Sequence, residues 1–169
     1  MNKKKTDLQC LATMIKDIKF TMMTTSDESG AMFSRPMANQ KIDAANFDGD
    51  LWFFTKLDSP KVFALNQDHH VNLAYADTDK QNYVSVCGMA RISTDKEKMK
   101  ELWNPTLKAW FPEGLLDPQI ALICVSVHSA ELWDSPPSKV VQLVGMAKAI
   151  VTGKPMDHSM TSEIINVPH

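Results

Sequence analysis

The sequence predicts a small antiparallel β-barrel with peripheral helices, a mainly β fold of the α+β class. Several short segments rich in Thr, Val, Ile and aromatic residues follow one another and are separated by turns that contain Gly, Asp or Asn. This arrangement is typical of antiparallel strands. One amphipathic segment precedes the strands, and a short helical segment interrupts them after the third. A barrel closed by such strands, with helices outside it, is the simplest architecture for this order.

The elements follow from periodicity and from turn residues. Apolar residues at helical spacing predict a helix over residues 6–18, beginning near Thr6 or Asp7. The turn Asp27–Gly30 predicts a hairpin between the first two strands, and Gly88 predicts a bulge or a close backbone contact in the fifth. The predicted strands cover residues 20–26, 31–42, 49–55, 71–76, 83–93 and 120–133. Further helices are predicted at 95–103 and 138–151, and a short one is predicted to begin at Ser59 and Pro60.

Length and composition indicate one domain, which we place at residues 1–153, followed by a tail at residues 154–169. The chain has 169 residues, of which 44% are hydrophobic, enough for a real core. The tail is polar without clear periodicity, so we expect it either to be mobile or to cross to a neighbouring subunit.

Charge and hydropathy argue against several classes of protein. The net charge is −2 and the pI is near 6.2, so we expect no binding to nucleic acid or to an anionic membrane. The opening MNKKK is followed by a segment with interspersed charges, and no apolar run approaches a membrane helix, so we expect a cytoplasmic protein. The three cysteines, Cys10, Cys87 and Cys124, are far apart; we expect buried small apolar residues and neither disulfides nor a metal site.

The segment Leu51–Lys61, with the sequence LWFFTKLDSPK, predicts an anion site. An apolar strand ends at Thr55, and Ser59 and Pro60 then suit the N-cap and first position of a short helix whose apolar face is Val62, Phe63 and Leu65. A helix start presents free N–H donors, and Lys61 adds a positive charge that an anion would stabilise. A capped surface helix with a solvated lysine explains the same spacing equally well.

Two further groups of polar residues have ordinary explanations. His69 and His70 are adjacent and therefore point to opposite faces of a strand, so we expect a solvated strand start and no metal ligands. Asp77 and Asp79 are explained by a turn as well as by acid–base chemistry.

The motifs together resemble the flavin-binding split-barrel superfamily typified by pyridoxamine 5′-phosphate oxidase, most closely its general stress protein 26 branch. The resemblance covers roughly Leu8 to Gly153. It rests on SRPMANQ at residues 34–40, Phe54-Thr55, Ser59 with Lys61, and AELW at residues 130–133. In this family the first arginine reaches the FMN phosphate, and the serine and lysine bind the same phosphate. A buried Arg35 without a charged partner would be costly, and a flavin phosphate would satisfy it; an ion pair or an exposed strand face is the alternative.

The resemblance implies a homodimer with an FMN site at the subunit interface. Trp133 is expected to pack against the flavin, and Tyr83 takes the position of a polar residue that contacts flavin from the partner subunit, with Ser85 nearby as a donor. The connection that contains Trp110 is either a lid over the flavin or a packed loop. The complete set of expected cofactor-binding residues is Arg35, Pro36, Met37, Gln40, Phe54, Thr55, Ser59, Lys61, Tyr83, Ser85, Trp110 and Trp133.

Departures from the family pattern limit the function that can be carried over. Pro60 stands where many members have a second basic residue. The oxidases carry an Arg-Leu-His stretch after the tryptophan that binds the substrate phosphate, whereas residues 134–141 here read DSPPSKVV. We therefore do not expect pyridoxamine phosphate oxidation. The resemblance implies an FMN-dependent oxidoreductase for an unknown small molecule, with no catalytic residue assigned; a flavin carrier, buffer or redox sensor is the alternative function, and FAD, haem or a deazaflavin the alternative cofactor.

Overall fold

The computed structural model describes residues 3–134 and 161–167. Within these ranges the chain forms a seven-stranded antiparallel sheet with three helices, which confirms the predicted fold class. The helices are α1 (Lys3–Ile15), α2 (Pro60–Gln67) and α3 (Lys96–Leu102). The strands are β1 (Phe20–Ser26), β2 (Met32–Ala38), β3 (Asp50–Lys56), β4 (His70–Asp77), β5 (Asn82–Ser93), β6 (Ile120–Asp134) and β7 (Thr161–Asn166).

The sheet runs in the order β2-β1-β4-β5-β6-β3, and β7 pairs with β6 beyond the end of β3. Strand β6 therefore pairs with β3 through residues 120–126 and with β7 through residues 129–134. The two ends of the path, β2 and β3, lie in contact without strand pairing. This brings the segment around Arg35 next to the end of β3.

The predicted irregularity at Gly88 is confirmed. The register between β5 and β6 shifts between Cys87 and Gly88. A Cβ atom at Gly88 would lie 2.5 Å from the carbonyl oxygen of Ser126, so the two backbones approach more closely than a side chain would allow.

Two apolar clusters fill the fold. The larger lies on the inner face of the sheet, where α1 contributes Leu11 and Ile15, both fully buried. The smaller lies on the outer face of β3 and β6 beneath α3 and the connection that follows it; its buried members are Phe54, Met99, Leu107, Phe111, Ile120 and Leu122. The second cluster forms one wall of the site described below.

Helix α1 differs from its predicted bounds, since it begins at Lys3 and ends at Ile15. Beyond Ile15, two backbone carbonyl groups accept hydrogen bonds from outside the helix. The side chain of Asn39 donates to the carbonyl of Ile18, and the N–H of Asn39 donates to the carbonyl of Lys19. These bonds to the end of β2 replace the helical pattern.

The tail contains a strand that sequence analysis missed. Residues 161–166 form β7 on β6, with Ile165 buried and Ile164 exposed. One buried residue in a short polar segment gives little periodic signal, and the pairing with β6 is a long-range contact. The predicted helix at 138–151 and the domain boundary at residue 153 lie outside the described residues.

Several side chains differ from their expected burial. Cys124 is buried as expected, whereas Cys10 and Cys87 are exposed; all three are free thiols. In α2, Val62 and Leu65 are buried but Phe63 is exposed, because it lies about 100° around the helix from Val62 and farther from Leu65. The carboxylate of Asp77 accepts a hydrogen bond from the N–H of Lys80, which confirms the turn predicted at Asp77 and Asp79. No helix in the described ranges is long and apolar enough to cross a membrane.

Candidate functional site

The candidate site is built where β3 ends and α2 begins. Ser59 is the N-cap and Pro60 the first residue of α2, as predicted. The hydroxyl of Ser59 does not cap the helix; it lies 3.2 Å from the hydroxyl of Thr55, which is buried at the end of β3. Within residues 3–134 and 161–167, the N–H of Lys61 has no acceptor. The start of α2 thus presents two adjacent hydroxyls and an N–H donor.

Arg35 lies on β2, half-buried, on the face that it shares with Met37. Its guanidinium Nη1 donates to the hydroxyl of Thr25 at 2.7 Å. Thr25 is 2% exposed and lies across the hairpin on β1. Because this hydrogen bond engages one donor of the guanidinium, the remaining donors are available to an anion.

The electrostatics of Lys61 connect it to Arg35. Burial lowers the pKa of the Lys61 ammonium, and the positive charge of Arg35 lowers it further. Burial also lowers the pKa of Arg35. In the described part of the chain no carboxylate pairs with either side chain. Two half-buried cations without a counter-charge form a site that an anion would stabilise.

A cleft of about 550 Å³ opens beside these residues, within the usual range for small-molecule sites. Eight of the predicted site residues line it, and Arg35 adjoins it. These eight are Pro36, Met37, Gln40, Phe54, Thr55, Ser59, Lys61 and Trp110. The structure therefore brings together most of the residues that the resemblance implied.

One wall of the cleft is aromatic. The ring of Phe54 contacts Phe111 at 6.1 Å between centroids and meets Trp103 edge-on at 5.7 Å. Trp110 lines the cleft and is 55% exposed. The connection that carries it is a packed loop, since Leu107 and Phe111 are buried, and it also borders the cleft. A planar ring could lie against this wall.

Tyr83, Ser85 and Trp133 do not line this cleft. Tyr83 pairs with Trp133 across β5 and β6, on the face opposite to the buried Val84. The side chain of Asn72 donates to Ser85 on that same face. Alternation along the strands places these side chains on the outer face of β5 and β6. Their role toward a partner subunit stays a prediction.

Sequence reasoning missed six residues that line the cleft. They are Phe20, Ala38, Lys56, Asp58, Leu107 and Phe111. Phe20 pairs with Ala38 across the β1–β2 hairpin, which no local pattern reveals. Lys56 and Asp58 do lie inside the segment that predicted the anion site, so their position next to Thr55 and Ser59 was an available signal.

A second cavity of about 270 Å³ lies between the β2–β3 connection, β3 and α3. Its carboxylates already have local partners: Asp43 accepts from the N–H of Ala45, Asp48 from the N–H of Asp50, and Asp50 pairs with Arg91. They stabilise the loop that carries them, so this cavity offers less unsatisfied charge than the cleft at Lys61.

The fold and the site define a class: an open antiparallel barrel with a cleft lined by lysines, hydroxyls and aromatic rings. The chain belongs to the family described as pyridoxamine 5′-phosphate oxidase like, whose pattern matches residues 6–157. This confirms the resemblance found in the sequence. The match covers most of the chain, including every predicted site residue.

Individual relatives agree with this assignment. Protein bli-3 of Neurospora crassa is 32% identical over 163 residues, which cover 91% of this chain and 77% of the relative. A general stress FMN/FAD binding protein from Xanthomonas citri is 28% identical, with a TM-score of 0.67 and coverage of 79% of this chain and 92% of that one. A protein from Clostridium acetobutylicum related to general stress protein 26 has a TM-score of 0.70 at 16% identity, covering 96% of both chains, and shows the same fold.

Proposed function

We propose that the chain binds FMN in the cleft, with its phosphate at Arg35 and Lys61 and its ring system against the aromatic wall. The observation that carries this proposal is the pair of half-buried cations without a carboxylate partner in the described residues. A phosphate dianion would accept from both side chains and from the hydroxyls of Thr55 and Ser59. The FMN/FAD binding of the Xanthomonas citri relative supports a flavin.

The residues around the cleft suit this ligand in size and chemistry. Lysines and hydroxyls line the cleft together with the rings of Phe54, Trp110 and Phe111. FMN carries a terminal phosphate, which fits a site with two cations better than the internal diphosphate of FAD does. The arrangement orients the ligand and excludes water from one side of its ring.

We propose further that the protein is an FMN-dependent oxidoreductase for a small molecule. Bound flavin supplies hydride transfer at its N5 atom, and the protein supplies orientation and hydrogen bonds. No proton donor is assigned to a side chain. The sequence DSPPSKVV at residues 134–141 favours a substrate other than pyridoxamine phosphate.

A flavin carrier or redox sensor is the second candidate function. The departure of residues 134–141 from the substrate-binding stretch of the oxidases favours it. Such a protein would need the cleft and the phosphate site but no substrate site. Both candidates thus predict flavin binding and differ only in turnover.

We infer that two copies share the site, with Tyr83, Ser85 and Trp133 of one facing the flavin of the other. Exposed apolar side chains on the same outer face support this assembly: Phe20 and Met22 on β1, and Ile164 on β7. Sedimentation velocity of the unaltered protein and of Met22→Glu tests it. A dimer that the substitution converts to monomer supports the inference, and a monomeric unaltered protein overturns it.

The test of function starts from dialysed protein titrated with FMN, followed by quenching of flavin fluorescence. Saturable binding is expected. Anaerobic NADH or NADPH is then added to the complex, and reoxidation by oxygen or by added acceptors is followed at visible wavelengths. Reduction and reoxidation over many turnovers support the oxidoreductase. Binding without reaction toward any donor supports the carrier, and absence of flavin binding contradicts both.

A further inference from the structure

The connection from α3 to β6, residues 103–119, forms the aromatic side of the cleft. We call it the aromatic segment. It contains two short 3₁₀ turns, Pro105–Ala109 and Gly114–Leu116. Leu107, Trp110 and Phe111 of this segment line the cleft. The shape of the cleft therefore depends on how this segment is held against the barrel.

Apolar packing holds part of the aromatic segment. Leu107 and Phe111 are buried in the smaller core cluster with Phe54. Trp110, next to Phe111 in sequence, is 55% exposed. Its position is set by its neighbours more than by its own burial.

An ion pair holds the other part of the segment. The ammonium of Lys56, the last residue of β3, lies 3.4 Å from Oδ2 of Asp117 and 6.0 Å from the centre of the Phe111 ring. The Asp117 side chain is 10% exposed, so the pair is partly shielded from water. Oδ1 of Asp117 accepts a hydrogen bond from the N–H of Gln119. The carbonyl of Gln119 in turn accepts from the N–H of Leu57. Lys56 thus joins the barrel to both Asp117 and Phe111.

Lys56 differs from Lys61 although both line the cleft. Lys61 has no carboxylate partner in the described residues, whereas the charge of Lys56 is already balanced by Asp117. An ammonium that already pairs with a carboxylate attracts a phosphate less strongly than one without such a partner. Lys56 therefore acts through its contacts with Asp117 and Phe111 and not as a ligand of the phosphate.

We propose that Lys56 and Asp117 are a positioning pair that holds the aromatic segment against the cleft and so sets the affinity for the ring system of the ligand. The inference rests on the proposed flavin function. Breaking the pair loosens the wall formed by Trp110 and Phe111, and the loss is the same whether or not the ligand carries a phosphate. FMN, riboflavin and lumiflavin, which share the ring and differ in the side chain, distinguish this role from phosphate binding.

The experiment compares Lys56→Met, Asp117→Asn and the double variant with the unaltered protein. Each single substitution should weaken binding of all three flavins by about twofold to fivefold. The double variant should lose no more flavin affinity than either single variant, because the two single substitutions remove the same interaction. The matched control is Lys80→Met with Asp77→Asn, an ion pair of the same 3.4 Å length in the β4–β5 turn, which should leave affinities unchanged.

Hydrogen exchange of the unliganded protein provides a second measurement. Amides of residues 103–119 should exchange faster in the Lys56 and Asp117 variants than in the unaltered protein. Unchanged affinity and exchange would overturn the proposal, and so would a loss confined to FMN. If the unaltered protein binds none of the three flavins, the proposed function fails, and the exchange rates alone decide whether the pair holds the segment. Asp117→Asn, which conserves shape, keeps the test valid if Lys56→Met unfolds.

Discussion

Arg35 lies close enough to Lys61 for its positive charge to lower the pKa of the lysine ammonium. The two side chains come from β2 and from the first turn of α2, which the fold brings together. Since like charges at a half-buried position are costly, their juxtaposition indicates a ligand that compensates them.

Removing either cation should weaken the binding of FMN and leave the binding of riboflavin nearly unchanged. Lys61→Ala or Arg35→Ala is expected to reduce FMN affinity by about tenfold to a hundredfold, the effect of a lost charged hydrogen bond. Riboflavin, which lacks the phosphate, should change by less than about twofold on the same grounds. Fluorescence titration of both ligands measures the effect, and Lys80→Ala is the control. Equal losses for both ligands would show that these side chains do not bind the phosphate.

The affinity for FMN should depend on pH through Lys61. Burial, and then Arg35, lower the pKa of its ammonium in the free protein. A bound phosphate raises that pKa, because the opposite charge favours the protonated form. The affinity for FMN is therefore highest below the lowered pKa of Lys61 in the free protein and falls as the pH rises through that pKa. Titrations across alkaline pH should show this decline for FMN and a smaller one for riboflavin; a parallel decline in both would contradict it.

Thr25 should affect the affinity for FMN by positioning the guanidinium of Arg35. Thr25→Val retains the shape of the side chain and removes the acceptor of the 2.7 Å hydrogen bond from Arg35. FMN affinity is expected to fall by about threefold to tenfold, with riboflavin affinity unchanged. Thr13→Val, at an exposed position on α1 where the hydroxyl bonds the Gln9 carbonyl, is the control. An unchanged ratio of the two affinities would show that Thr25 does not position the guanidinium.

Gly88→Ala should destabilise the barrel without involving the ligand. The added Cβ would lie 2.5 Å from the Ser126 carbonyl oxygen and 2.8 Å from Cγ1 of Val125. We expect a loss of about 1–3 kcal/mol in the free energy of unfolding, as for other overpacked positions. Urea unfolding measures it, and Cys87→Ala, an exposed neighbour on the same strand, should change little. A stability equal to that of the unaltered protein would show that β5 and β6 can separate at the bulge.

Local chemistry explains how much of this site could be predicted from the sequence. The segment from Thr55 to Lys61 contains a strand end, a cap, a proline and a cation in a short stretch, and the structure places them as expected. The hairpin at Asp27–Gly30 and the irregularity at Gly88 were likewise visible as glycine positions.

What the sequence could not reveal depends on strand register. The contact from Arg35 to Thr25 and the place of Phe20 in the cleft require the pairing of β1 with β2. β7 pairs with β6, from which it is separated by 26 residues of chain. The exposure of Cys87 depends on which face of β5 it occupies, and no single residue type decides that.

The most direct test of the central claim is the ratio of the dissociation constants of riboflavin and FMN for the unaltered protein. If Arg35 and Lys61 bind the phosphate, FMN should bind at least about tenfold more tightly than riboflavin at neutral pH and low salt. Added salt should reduce that difference. Equal affinity for the two flavins, or no binding of either, would contradict the account.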